Sequence, residues 1–275
     1  MKSPESKRLR DDWSLMVAVV LFAAHLAWWA ALTFTNAPDE TKAIWGASYQ
    51  TVALWGGICG LIIARSWGGM GSVMGRSVGA FALGLLLQNL GQSVFSYYNV
   101  IAHVEMPYPS LADLGYFGSI PCYIYGAIML GKASGVNISL KSVSSRLQAV
   151  AIPLAMLGLS YYLFLRGYEF DWSAPLRIFL DFGYPFGQAI YVSVAMLVYL
   201  LSTKTLGGIM KDKVLLILSA LVVQYAADYN FLSQAYAGTW GVSGYGDVIY
   251  LLAYFLLAIG LIRLKTEYIH PREKA

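Results

Sequence analysis

Charge is scarce in this 275-residue chain: 12% of its residues are Asp, Glu, Lys or Arg, whereas 58% are hydrophobic. An ordinary soluble domain carries about a quarter charged residues, so that class is excluded and a polytopic membrane protein is indicated. Histidine is scarcer still. His25 lies in mid-span, His103 in a loop and His270 in the tail, so two ligands at matching depth for a transmembrane haem are lacking. His103-Val-Glu105-Met106 reads better as a solvated loop than as a metal site, and no metal is expected. No lysine lies within the last two apolar segments before Lys265, which argues against a retinal Schiff base. His-Glu-x-x-His, Gly-x-Ser-x-Gly and phosphate-loop patterns are missing, so no motif supports an enzyme and no cofactor is specified. Cys59 and Cys122 fall inside apolar segments, read as small packing residues and say nothing of redox compartment.

What is present is a series of long apolar runs. Eight spans are expected, near 13–34, 44–64, 78–100, 112–130, 148–166, 174–201, 214–235 and 245–264. Each is long enough to cross about 30 Å of hydrocarbon, which gives an all-α, eight-helix transmembrane bundle and a single polytopic domain over 1–275. The first run is too long for a signal peptide and contains Trp28 and Trp29, so it reads as a retained helix. Pro185 predicts a kink or tilt in the sixth, and the glycine-rich stretch 65–77 reads as a flexible linker.

Orientation follows from the basic residues. Of nineteen, all but Lys42, Arg166 and Arg177 fall on the side of the two termini. The positive-inside rule then makes both termini cytoplasmic, in a multi-pass protein of the plasma (inner) membrane. The basic residues are spread over short loops, so the net charge of +4 reads as a topology signal and no nucleic-acid partner is expected.

Asp-x-x-Tyr occurs three times, at Asp113/Tyr116, Asp181/Tyr184 and Asp247/Tyr250, at intervals of 68 and 66 residues. Each copy opens an apolar, helix-length segment. Acids there are costly, and their regular recurrence points to duplication, a shared site, or both. The spacing suggests helix-hairpin repeats over 13–64, 78–130, 148–201 and 214–264; the first keeps only the tyrosine, in Gly46-Ala-Ser-Tyr49. Gln88 and Gln92 in the third span are echoed by Gln224 and Asp228 in the seventh, each pair at i, i+4 on one helix face.

These residues are the candidate ligand-binding set: Asp228, Gln92, Gln88 and Gln224, with Asp113, Tyr116, Asp181, Tyr184, Asp247 and Tyr250 above them towards the outer side. Converging faces would line a polar cavity in the outer half of the bundle, walled by tyrosines that include Tyr97, Tyr98, Tyr225 and Tyr229. Plainer roles compete. Ser110-Leu-Ala-Asp113 has the form of a helix start, and Asp247 follows Gly244 and Gly246 in the same way. Asp181 lies four residues after Arg177, an obvious ion-pair partner. Asp228 sits deepest, has no basic neighbour in sequence, and is the strongest single candidate. Aromatic residues at the span ends read as interfacial anchors before they read as a cage.

Pro107-Tyr-Pro-Ser-Leu-Ala-Asp-Leu-Gly-Tyr116 resembles a polytopic sensor module that precedes diguanylate cyclase (GGDEF), phosphodiesterase (EAL) or kinase output domains in bacterial signalling proteins. The likeness continues through Leu180-Asp-Phe-Gly-Tyr-Pro-Phe-Gly187, Ala227-Asp228-Tyr229, Tyr245-Gly-Asp-Val-Ile-Tyr-Leu-Leu-Ala-Tyr254 and His270-Pro271, and covers roughly residues 80–271. This chain has Gln188 where the family often has a second aspartate, and no output domain follows. The resemblance implies a membrane input module that needs a separate cytoplasmic partner.

The first expectation is therefore a non-enzymatic, sensor-like module in the bilayer. It would bind a small or lipidic ligand, cationic or protonatable, and relay to a cytoplasmic or membrane protein partner. An accessory subunit of a larger membrane complex is the alternative, with Gly56 and Gly60 able to form a close helix contact within the chain or with a partner. A transporter or channel is the third reading, weakened by an almost wholly apolar fifth span and by acids clustered on one side.

Overall fold

A computed structural model describes residues 12–104, 106–135, 142–202 and 209–265. The basic N-terminal residues Lys2, Lys7, Arg8 and Arg10, as well as Glu105, Lys141, Lys204, His270, Pro271, Arg272 and Lys274, lie outside these. Among the described residues the regular structure is helical: α1 Trp13–Phe34, α2 Asp39–Ser48, α3 Thr51–Ser66, α4 Val73–Ser96, α5 Ala112–Ala133, α6 Val143–Ser160, α7 Pro175–Ser202, α8 Ile209–Tyr236 and α9 Tyr245–Ile262. Eight spans long and apolar enough to cross a membrane result, because α2 and α3 together form the second, Asp39–Ser66.

The chemistry of the helix ends explains most boundaries. Asp12 caps α1, its carboxylate accepting from the Ser14 and Leu15 amides at 2.9 and 3.4 Å. The second span begins five residues before its apolar run, because Asp39 and Glu40 lie in the first turn of α2, where the helix dipole favours acids. The linker 65–77 is not loose. A 3-10 turn at Gly69–Gly71 leads to Ser72, whose hydroxyl accepts from the Gly75 amide at 2.8 Å and starts α4 five residues earlier than expected. Single π-helical turns extend α4 through Tyr97–Ile101 and α6 through Tyr161–Leu165. Pro121, Pro153 and Pro185 are all carried inside helices.

Six helices close into a ring in the order α3, α4, α5, α7, α8, α9, with α9 returning to α3. α1 lies outside against α9 and α3, and α6 lies outside against α7. The ring order is unchanged when every span is advanced by four, which exchanges α4 with α8 and α5 with α9. The helices carrying Gln88 and Gln224 thus correspond, as do those carrying Asp113 and Asp247.

Close approach rests on glycine, as expected where lipid tails compete for the same apolar surface. A Cβ on Gly115 of α5 would come within 2.3 Å of the Gly91 nitrogen and 2.4 Å of the Leu87 oxygen of α4. Gly56 meets Ala258 of α9 and Gly60 meets Ala82 of α4, so this small-residue stripe is used inside the protein. Cys59 is buried there as a small apolar residue. The two ends of the described chain meet at one face of the bundle, where Lys265 Nζ lies 2.7 and 2.6 Å from the Asp12 carboxylate oxygens and 2.8 Å from Ser14 Oγ.

Candidate functional site

Three helices converge on Asp228. Its carboxylate accepts from the Tyr191 hydroxyl of α7 at 2.6 Å, the Tyr250 hydroxyl of α9 at 2.9 Å and Gln224 Nε2, one turn earlier on α8, at 3.1 Å. Asp228 is 7% exposed and Gln224 3%. A buried carboxylate costs several kcal/mol unless its lone pairs are filled, and here donors from three elements fill them. The cluster therefore joins α7, α8 and α9 through one acceptor.

A second knot lies across the ring. Gln88 and Gln92 are also buried. Gln88 donates to Ser119 Oγ of α5 at 2.7 Å and accepts from the Tyr254 hydroxyl of α9 at 3.1 Å. Gln92 donates to the Gly46 carbonyl of α2 at 3.0 Å and accepts from the Tyr116 hydroxyl of α5 at 2.6 Å. Tyr250 and Tyr254 stand one turn apart on α9, with ring centroids 6.1 Å apart, one reaching Asp228 and the other Gln88. One member of each i, i+4 pair, Gln88 of α4 and Asp228 of α8, thus bonds a tyrosine of α9.

The Asp-x-x-Tyr copies behave as three different devices. Asp113 accepts from the Ser110 amide at 2.7 Å while Ser110 Oγ accepts from the Ala112 amide at 3.2 Å, so it starts α5 as a reciprocal cap. It also accepts from the Tyr184 hydroxyl at 2.6 Å, which ties α5 to α7. Asp247 holds the Ser243 amide at 2.7 Å. Asp181 sits 3.8 Å from Arg177 Nε and accepts from the Tyr108 and Tyr168 hydroxyls at 2.8 and 2.6 Å. Burial and the Asp181 contact raise the Tyr108 hydroxyl above the ordinary tyrosine range, and the Asp181 hydrogen bond does the same for Tyr168. The motif tyrosines serve distant partners: Tyr184 serves Asp113, Tyr250 serves Asp228 and Tyr116 serves Gln92.

Two adjoining recesses occur where the α6–α7 loop meets the start of α7, and of the candidate residues only Asp181 lines either one. Asp228, Gln88, Gln92 and Gln224 are instead packed against their partners. Sequence reasoning missed Tyr191, Tyr254, Ser119, Tyr108 and Tyr168. A signal existed for three of them: Tyr191 follows Tyr184 by seven, Tyr254 follows Tyr250 by four and Ser119 follows Tyr116 by three, all same-face helical spacings. Tyr97, on a π-helical turn, is 54% exposed. His25 donates to or accepts from Thr51 Oγ1 at 3.0 Å, pinning α1 to α3. Among the described residues no three His, Cys, Asp or Glu side chains form a group fit to hold a metal ion. No protein-family model, curated protein or solved structure matches this chain.

Proposed function

We propose that this chain is a non-enzymatic, sensor-like membrane module whose input is a proton, a small cation or an amine read at Asp228. Its output passes to a separate cytoplasmic or membrane protein partner. The observation that carries this reading is the Asp228 cluster: one buried carboxylate holding donors from α7, α8 and α9. An ionised carboxylate only accepts hydrogen bonds, whereas a protonated one must donate, and a bound cation would compete with the tyrosine hydroxyls. Either event removes the reason for the three helices to keep this arrangement, and a ligand shifts a conformational balance only through such differential contacts. The resemblance of residues 80–271 to a signalling input module supports the same class. Basic residues grouped on the side of the termini support a cytoplasmic location for both chain ends in an inner membrane.

Asp228→Asn provides the test. Wild-type protein in lipid nanodiscs is expected to show a pH-dependent carboxylic C=O infrared band accompanied by a change in tryptophan fluorescence. The variant should elute normally and lose both. A normally folded Asp228→Asn protein that keeps the full fluorescence response would remove Asp228 as the input. A variant that does not fold would make the cluster structural.

The accessory-subunit reading is favoured by α6. Val143, Leu147, Val150 and Leu154 are 59–81% exposed and recur at a 4-3-4 spacing, the pattern of a helix-pairing seam. Co-purification of a membrane partner from native membranes, abolished by Leu147→Ala with Leu154→Ala, is the outcome that reading requires.

A further inference from the structure

The geometry points to a headgroup-and-chain site for a zwitterionic, ammonium-bearing phospholipid where the α6–α7 loop meets α7. This site goes beyond the Asp228 reading and shares no residue with that cluster.

The site is built by a tightly held loop. Gly167, at φ +81, reverses the chain after α6 in a conformation that a side chain would strain. Tyr168 is then anchored twice, its amide donating to the Leu165 carbonyl at 3.1 Å and its hydroxyl to Asp181 at 2.6 Å. Asp171 turns the chain into α7 by accepting from the Ser173 amide and hydroxyl at 3.0 and 2.5 Å. Those hydrogen bonds hold the Asp171 carboxyl below the usual carboxylate range, so it is an anion at neutral pH.

Two recesses of opposite chemistry result. One, of about 440 Å³, is polar and includes Glu169, Asp171, Arg177 and Asp181 in its wall. The other, of about 380 Å³, is lined by Phe170, Phe179, Phe182 and Phe186 with Gly183 and Gly187 between them. Ile178 lies in the wall of both, and the proposed amphiphile spans the two across it. The charges in the polar recess are already divided. Asp181 is taken by two tyrosine hydroxyls, and its approach to Arg177 is a long 3.8 Å with the arginine side chain 59% exposed. The guanidinium, whose face lies over the Tyr108 ring at 5.9 Å, keeps its edge donors for a phosphate, while Glu169 and Asp171 offer acceptors to a cation. A phosphate joined to an ammonium matches one base set among three acids, and a purely anionic headgroup would leave the acids opposed by like charge. The acyl chain fits the phenylalanine groove. Its neighbours Trp172 and Leu176 are 77% and 60% exposed, as expected of a helix start lying against lipid.

The test uses delipidated, detergent-solubilised full-length protein offered equal amounts of phosphatidylethanolamine and phosphatidylglycerol, with retained lipid read by native mass spectrometry. Wild type is expected to keep phosphatidylethanolamine several-fold over phosphatidylglycerol. Glu169→Gln with Asp171→Asn should bring that ratio near one, and Arg177→Gln should reduce retention of both lipids. Phe179→Ala should also lower both without changing the ratio. Equal retention by wild type, or an undiminished preference in the Glu169→Gln/Asp171→Asn protein, would overturn the site. Asp228→Asn should leave the preference intact, so failure of the lipid site and failure of the Asp228 reading are told apart.

Discussion

Tyr191 and Tyr250 each give a hydroxyl to one buried acceptor, and that shared acceptor sets their energetic roles. Hydrogen bonds to a charged group are worth about 1.5–3 kcal/mol. Tyr191→Phe and Tyr250→Phe should each lower unfolding stability by about that amount in a detergent thermal scan, and the pair should depart from additivity because the two donors share one carboxylate. Lys265→Met removes the charge partner of the nearly buried Asp12 carboxylate, which keeps its bonds to the Ser14 and Leu15 amides, and should cost about 1.5–3 kcal/mol; Asp12→Asn in the same protein should recover part of it. Around Asp181 the prediction concerns pH. Tyr108 and Tyr168 titrate above their ordinary range, so their contribution is complete below about pH 10 and is lost as pH rises through the raised values. Tyrosinate absorbance should show a late-titrating fraction that Tyr108→Phe and Tyr168→Phe diminish. Asp228 was legible in the sequence because an acid deep in an apolar run has few innocent explanations. Tyr191 was not, because a tyrosine in such a run looks like any other membrane aromatic until its partner on another helix is known.

At the level of elements, helix existence is written in hydropathy and helix proximity is written in glycine. Gly115→Ala places a methyl group against the α4 backbone, which cannot rotate away as a side chain can. It should destabilise by about 1–3 kcal/mol or more through forced separation of α4 and α5. Gly158→Ala on α6 meets nothing within 4 Å and should be neutral or stabilising by about 0.5–1 kcal/mol, a matched control in the same thermal scan. The 65–77 segment shows why glycine misleads when read locally. It looked flexible, but a Cβ on Gly75 would lie 2.2 Å from the Gly69 oxygen, so glycine there permits a tight turn. Hydropathy starts the second span too late because Asp39, Glu40 and Lys42 depress it over a turn that is helical all the same. Pro185, where a kink is expected, and the prolines of α5 and α6 all lie inside helices that continue past them.

Across the whole molecule, the eight spans fix which loops share a side. The meeting of Asp12 with Lys265 places both described chain ends at one face. Cysteines introduced at Met70, between the second and third spans, and at Trp172, between the fifth and sixth, are both well exposed and lie on opposite faces by span count. With the proposed orientation, an impermeant maleimide should label Trp172→Cys from outside intact spheroplasts and Met70→Cys only after permeabilisation; the reverse pattern would invert the topology. The number of spans, their apolar faces and the asymmetry of basic residues follow from the sequence alone, because transfer into hydrocarbon and the siting of charge depend on local composition. The ring order, the buried hydroxyl partners of Asp228 and the recesses at the α6–α7 loop were decided only by the tertiary structure. Each depends on which faces of distant helices meet. Satisfying a buried carboxylate is a requirement the sequence announces, but its donors lie 37 and 22 residues away on other helices. At Asp228 and Gln92 the hydroxyls of Tyr191, Tyr250 and Tyr116 supply those donors, because burial makes an unpaired polar group costly.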